Sequence, residues 1–286
     1  MNESLSIEIW KRLVRDKSLN DLHLPEHDGR LDLRGLSSPG GSPSIENARL
    51  KNLDFSDSSL QGLRLFNCQF ENCNFEQCKF HDLRVWSTTF LNCSFKGADL
   101  SKSVLGGVQE GRRSVYLRVD FTDADLSETV YKAAGFEKCV FHNTKLVKID
   151  FQTSTFIDCA FEGELNDVIF YRRAQRSFEF PANEMVNVDF SKAILRHVSF
   201  RGLGLDRVRL PEDANHLRFK WYGSALDKLV AKLEKQNDPV AKKLITFLAN
   251  DRKWVIPEQE QGVINLQDVA EVAGGDAAAR LVELVP

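Results

Sequence analysis

The sequence contains no uninterrupted apolar run near the roughly 18 residues that a membrane-crossing helix needs, so no membrane partner is expected. Its opening segment, MNESLSIEIWKRLVRDKS, is acidic and amphipathic and lacks the basic-then-apolar plan of a secretory leader, which sets the expectation of a cytoplasmic protein. A dominant charge is lacking too. The net charge is −3; residues 1–44 hold 6 basic and 7 acidic side chains, residues 45–210 hold 22 of each, and residues 211–286 hold 10 against 12. No region offers the basic footprint that nucleic acid demands, so direct nucleic-acid binding is not expected. Catalytic signatures are missing as well: there is no Walker loop, dinucleotide fingerprint, HExxH, GxSxG or Cys-x2-Cys. The histidines, His23, His27, His81, His142, His197 and His216, are scattered. These absences assign no catalytic residue, no metal ligand and no cofactor, and the expectation is that the protein is not an enzyme.

Disorder is excluded by composition, since 42% of the 286 residues are hydrophobic. What the chain does have is a period of five. From Leu50 every fifth residue is apolar: Leu50, Phe55, Leu60, Leu65, Phe70, Phe75, Phe80, Val85, Phe90, Phe95, Leu100 and Leu105. A second run continues one residue out of step, through Phe121, Leu126, Tyr131, Phe136, Phe141, Leu146, Phe151, Phe156 and Phe161. A third gives Phe190, Leu195, Phe200, Leu205 and Leu210. Two residues before each centre the side chain is uncharged and mostly small or β-branched, and all six cysteines, Cys68, Cys73, Cys78, Cys93, Cys139 and Cys159, stand there.

Neither ordinary element accommodates this spacing. On an α-helix five residues advance about 500°, so an apolar stripe slips round the axis, and on a flat strand an odd spacing alternates faces. The backbone must turn once per repeat, keeping one bulky and one small side chain inward, and stacked coils then bury a continuous column. Phe55, Phe75, Phe95, Phe141 and Phe161 are expected in that column, with Cys73, Cys93, Cys139 and Cys159 as buried structural thiols. A zinc reading is poor, because the four-residue gaps between successive cysteines match the repeat itself. His81 and His142, each following a centre, should point outward. Asp99, Asp123 and Asp125, at polar positions of the repeat, should serve turn hydrogen bonds.

Segments such as Ala98-Asp99-Leu100-Ser101-Lys102, Ala124-Asp125-Leu126-Ser127-Glu128 and Asn92-Cys93-Ser94-Phe95 resemble the A(D/N)LXX consensus of the pentapeptide-repeat family, over roughly residues 45–210. The resemblance implies four pentapeptides per square, right-handed coil with Leu and Phe stacked inside. In that geometry Cys73 lies beneath Cys93 and Cys139 beneath Cys159. The chain departs from the consensus in favouring Phe at the centre and Cys or Thr before it, which makes a bulkier core.

The expected fold is therefore an all-β solenoid, a right-handed quadrilateral β-helix, with an N-terminal capping helix and a C-terminal α-helical module. Residues 1–44 read as the N-terminal helix and capping rung, 45–210 as the β-helix, and 211–286 as the helical module. In the first part Ile7, Trp10, Leu13 and Val14 give one stripe, and the run from Arg30 to Leu36 reads as a first rung. In the last part a weak capping box at Ser224 and Asp227 starts one helix, Asp238-Pro239 starts another, and residues 263–285 suggest two shorter helices split by Gly274-Gly275. Open solenoid ends need covering, but a tail this long exceeds a plug and is suited also to homodimerise or to dock a partner.

Two breaks in the register are the candidate binding loops. The first, 106–120, contains Arg112 and Arg113 and reads either as a one-residue bulge, with Tyr116 an intermediate centre, or as a loop. The second, 162–187, contains Arg172, Arg173 and Arg176; Phe170, Phe180 and Met185 are its candidate centres, while Gln175 suits no core slot.

The leading functional expectation is a non-enzymatic scaffold for an unidentified protein partner. The resemblance implies two others. Some pentapeptide-repeat proteins mimic duplex DNA, bind type II topoisomerases and protect them from quinolones or peptide poisons; others are secreted effectors or immunity proteins. The balanced charge of residues 45–210 supports DNA mimicry only if it is unevenly distributed.

Overall fold

The computed structural model describes residues 3–173 and 180–285. Short parallel strands stack with partners twenty residues apart, as Arg64–Phe66 on Arg84–Trp86 and Gln69–Glu71 on Thr89–Leu91. Four centres thus complete one coil. The first wall carries Leu65, Val85, Leu105, Tyr131, Phe151 and Phe170; the second carries Phe70, Phe90, Tyr116, Phe136 and Phe156. The third carries Phe55, Phe75, Phe95, Phe121, Phe141, Phe161 and Phe190, and the fourth Leu60, Phe80, Leu100, Leu126, Leu146 and Leu165.

Of the centres in the three regular runs, all are buried except Phe200, which is half-buried against the same core. The aromatic ones form ladders. On the third wall successive rings from Phe55 to Phe190 stack nearly parallel, 4.6 Å apart at Phe141–Phe161 and 5.5 Å at Phe95–Phe121. On the second wall Tyr116 stacks between Phe90 and Phe136, at 5.2 and 5.0 Å. Neighbouring walls meet edge to face, as at Phe90–Phe95, so rings such as Phe75, Phe90 and Phe136 have both of the arrangements that aromatic pairs prefer.

The corners explain the polar positions. Two residues after most centres the backbone enters the left-handed region, with φ of +59° at Asn47, +54° at Asn72 and +52° at Asn92, where Asn, Asp and Gly carry the smallest penalty. Stacked corner amides also bond each other: the Asn67 side chain donates to Asn47 and that of Asn72 to Asn52, both at 2.7 Å. Immediately before the centre, Asp or Asn on the third and fourth walls tightens the turn, as Asp99 accepts from the Ser101 N–H at 3.0 Å and Asp125 from that of Ser127 at 2.9 Å. Asp123 differs from expectation. It is a corner residue at φ +58°.

Each end is covered by helix. Helix α1 (Glu3–Leu13) lays Ile9, Trp10 and Leu13 on the first coil, and the Trp10 indole donates to the Ser37 carbonyl at 2.6 Å. The buried stripe is not the expected one, since Ile7 and Val14 are each 45% exposed and Ile9 takes the inward place. The rung from Arg30 is itself part of the solenoid, with Leu31 paired to Leu53 and Leu33 and Leu36 buried in the common core.

At the other end, helices α2 (Tyr222–Glu234), α3 (Pro239–Arg252), α4 (Leu266–Ala273) and α5 (Gly275–Leu284) enclose a core of their own around Leu226, Leu233, Leu244, Leu248 and Leu281. Asp238 caps α3 by accepting the Val240 and Ala241 N–H groups. Ser224 does not cap α2, which begins at Tyr222. One element was not foreseen: His216–Lys220 pairs antiparallel with Gln261–Asn265. No helix among the described residues is long and apolar enough to cross a membrane.

Candidate functional site

Both register breaks leave the solenoid at one corner, the edge between the first and second walls. The first occupies the turn between Leu105 and Tyr116, the second the turn between Phe170 and Met185, and Tyr116, Phe170 and Met185 are fully buried centres. Three coil steps separate them, through Tyr131 and Phe151, or about 14 Å at ~4.8 Å per step.

The first break is not a one-residue bulge. Thr89 pairs with Val115, six residues beyond the regular register, so one repeat and one further residue are extruded as a hairpin. Gln109 and Arg112 exchange backbone hydrogen bonds at 3.1 and 3.0 Å, and Glu110 and Gly111 between them have φ of +52° and +70°, the geometry of a two-residue hairpin turn. The Ser87 hydroxyl holds the hairpin down, accepting the Gln109 N–H at 3.0 Å and lying 2.8 Å from the Arg112 carbonyl. Trp86, stacked on Phe66 at 4.5 Å, covers Gly107 so closely that a Cβ there would lie 2.2 Å from the ring.

The arginines of this loop divide. Arg112 is exposed and paired with Glu110 at 3.1 Å. Arg113 instead lies along the second wall, over Gly135, and donates to the Thr155 hydroxyl at 3.1 Å, so burial pulls its pKa below the ordinary guanidinium value. It is a wall residue, not a loop-tip cation.

In the second break Arg172 continues the sheet, its N–H bonded to the Arg201 carbonyl at 2.9 Å, and pairs with Glu184 at 3.0 Å. The exposed Arg173 donates to the Phe180 carbonyl at 3.2 Å. Phe180 is half-buried and belongs to no wall, whereas Asn183, fully buried, turns the chain back into the coil by accepting from the Phe156 and Met185 N–H groups. Arg176 and Gln175 lie outside the described residues. A smaller irregularity accompanies this break: at Gly163, φ +94°, the fourth wall drops one residue, and Leu146 pairs with Leu165.

Distribution of charge round the coil is uneven. The third wall and its following corner place Asp32, Asp54, Asp57, Glu76, Asp120, Asp123, Glu162 and Asp189 against Arg34, Lys96, Lys192 and Arg209. The opposite, first wall places Arg64, Arg84, Lys132, Arg172 and Arg201 against Glu46 and Asp150. The equal totals of residues 45–210 thus conceal an acidic excess on the third wall and a basic excess on the first.

All six cysteines are free and buried. Cys78 donates to the Phe55 carbonyl at 2.9 Å, Cys68 to that of Ile45 and Cys139 to that of Tyr116, both at 3.2 Å. Thr144 does the same to Phe121 at 2.8 Å. Burial pushes the Cys73 and Cys139 thiols up and that of Cys78 up to about 12, so they are inert as nucleophiles. Among the described residues no group of three or more His, Cys, Asp or Glu could hold a metal ion.

His216 carries a role that its isolated place in the sequence concealed. Fully buried, it is bracketed by Asp213 on Nδ1 at 2.8 Å and by the Leu195 N–H, which donates to Nε2 at 3.1 Å. The Asn265 amide donates to the Leu195 carbonyl at 2.9 Å, and the Gln261 amide bonds the carbonyls of Leu205 and Val208. Asp268, almost fully buried, accepts the His197 N–H and the Arg196 guanidinium, each at 2.7 Å. The helical module therefore supplies the hydrogen bonds that a further coil would have made.

Square coils of four pentapeptides, with Phe or Leu at the centre and a small residue two before it, define a pentapeptide-repeat β-helix. The pentapeptide-repeat family description matches residues 44–82, in eight copies. Residues 44–82 thus carry that family's repeat, and the coils stacked on them continue the same fold. No curated protein matches it by sequence. Among solved structures it is similar to full-length QnrB1, a plasmid-mediated fluoroquinolone resistance protein, at 18% identity over 63% of this chain and 89% of that one, with a TM-score of 0.28. It is also similar to HetL, a pentapeptide repeat protein involved in heterocyst differentiation regulation from the cyanobacterium Nostoc sp. strain PCC 7120. There the identity is 16% over 74% of this chain and 93% of that one, with a TM-score of 0.27.

Proposed function

We infer that the protein is a non-enzymatic scaffold whose binding surface is the corner carrying both loops. One observation carries this reading: two insertions, in an otherwise regular coil, leave the same edge three steps apart. A ligand laid along that edge meets the Gln109–Arg112 hairpin at one end and Arg173 at the other, and a span of about 14 Å suits a protein surface better than a small molecule. The test is capture from the native cell with the intact chain, with a variant in which Gln109 to Arg112 is deleted, and with Arg173→Glu. Partners lost with both loop variants and retained with a Glu76→Lys control on the third wall support the reading; partners indifferent to both loops overturn it.

A second reading, engagement of a type II topoisomerase by the acidic wall, is favoured by the carboxylate excess from Asp32 to Asp189. Supercoiling by gyrase in the presence of a quinolone, with and without the protein, tests it. Protection that Glu76→Lys and Asp123→Lys abolish supports this reading, and no protection together with no binding removes it.

A further inference from the structure

Helix α2 carries a feature that its place in the module's core leaves unexplained. Lys228, Lys232 and Lys235 follow one another at helical spacing along one side, next to Ala225 and Leu229. Like charges at this spacing destabilise a helix, and neither Lys228 nor Lys232 has a carboxylate three or four residues away. Among the described residues none of the three forms an ion pair; Lys232 donates only to the Leu284 carbonyl, at 3.3 Å. Together with Lys220 they rim a groove of about 690 Å³ whose floor includes Phe219, Leu229 and Leu284, and no Asp or Glu lines it.

Trp221 stands at the mouth of this groove. It is 61% exposed and holds φ at +51°, a conformation that costs a bulky residue energy which Asn or Gly would largely avoid. A large aromatic kept in a costly backbone state and turned to water, beside an apolar floor and an unpaired cationic rim, is a surface built for something absent from the monomer.

We propose that this groove docks an acidic amphipathic segment of a partner protein. Its apolar side chains seat on Phe219, Leu229 and Leu284 and against Trp221, while its carboxylates meet Lys228, Lys232 and Lys235. The complementarity selects the sign: a neutral segment leaves the lysines unpaired and a basic one is repelled. The inference rests on the scaffold reading, but it assigns a surface on a different element from the loop corner.

The probe is a fluorescein-labelled peptide of about 14 residues, four helical turns, with Leu and Phe on one face and Glu and Asp on the other, and a control in which every acidic residue is Lys. Fluorescence anisotropy with the full chain is expected to show micromolar binding of the acidic peptide, weakened at least about fivefold between roughly 50 and 300 mM salt. The double variant Lys228→Glu/Lys232→Glu, and separately Trp221→Ala, should each weaken it about tenfold or more, with unchanged thermal midpoints showing that both fold. Equal binding of the Lys peptide, or affinity unchanged in the double variant, overturns the proposal. So does a dimer, seen by sedimentation, that Trp221→Ala dissolves, because a second copy then fills the groove. Deletion of Gln109 to Arg112 should leave peptide affinity unchanged. If the peptide fails while partner capture still depends on the loops, the groove assignment falls and the scaffold reading stands.

Discussion

At the scale of single residues, two inward positions and one corner account for most of the sequence's restriction. The position two before the centre is uncharged and mostly buried, and Cys, Ser and Thr interchange there because each can give its hydrogen to a carbonyl of the coil beneath: Cys139, Ser58 and Thr144 all donate to such a carbonyl. Their burial predicts that none of the six thiols reacts rapidly with a thiol reagent in the native protein and that all react after denaturation; fast labelling of even one in the native state contradicts the packing. Truncating a ladder ring, as in Phe141→Ala between Phe121 and Phe161, should cost about 3 to 5 kcal/mol by urea unfolding. The corner offers the opposite sign. Lys138 holds φ +54° on an exposed corner where other coils have Asn52, Asn72 and Asn92, so Lys138→Asn should raise stability by about 0.5 to 1 kcal/mol, read as a higher urea midpoint.

At the scale of the element, the residue before the centre decides how tightly a wall turns, and it also makes the turn sensitive to acid. Burial opposes the charge of Asp125, but Lys145 and the Ser127 bonds outweigh it and hold the carboxyl below the usual range; burial at Asp120 is likewise outweighed by Thr122. A carboxyl with a depressed folded-state pKa binds more protons when unfolded, so its stabilisation is present above the unfolded value of about 3.9 and is lost as pH falls through the lower folded value. Stability should therefore be flat with respect to these groups near neutrality and fall below about pH 4. Asp125→Asn keeps an acceptor for the Ser127 N–H and cannot titrate, so its acid loss should be shallower than that of the parent; an identical acid limb would show that Asp125 contributes nothing to it.

At the scale of the whole molecule, the column was legible because a bulky centre every five residues has no other solution, and Phe75, Phe95 and Cys93 all sit where the spacing put them. What the spacing could not carry was anything set by distant partners. The strand His216–Lys220 owes its state to Gln261–Asn265, and His216 and Asp268 become structural only when folded against Leu195, Arg196 and His197. The breaks were visible, but not their nature: the spacing left a one-residue bulge or a loop open at 106–120, whereas the Glu110–Gly111 turn and the Trp86 cover make a hairpin. The long-range contacts are also those that close the open end. A last coil without them presents a row of bare backbone groups, a template for pairing with a second chain. Asp268→Ala leaves the His197 N–H without its acceptor and the Arg196 guanidinium held only by Glu271 and Gln267, a loss of about 2 to 3 kcal/mol by the usual worth of charged hydrogen bonds. Because the module keeps its own core around Leu226 and Leu244, the variant should loosen at the junction before either part melts. Limited proteolysis should then cut first near residues 211–215, and sedimentation should show concentration-dependent self-association. A variant that stays monomeric and cuts no faster than the parent would mean that burial at the junction, not the hydrogen bonds to the last coil, seals the solenoid.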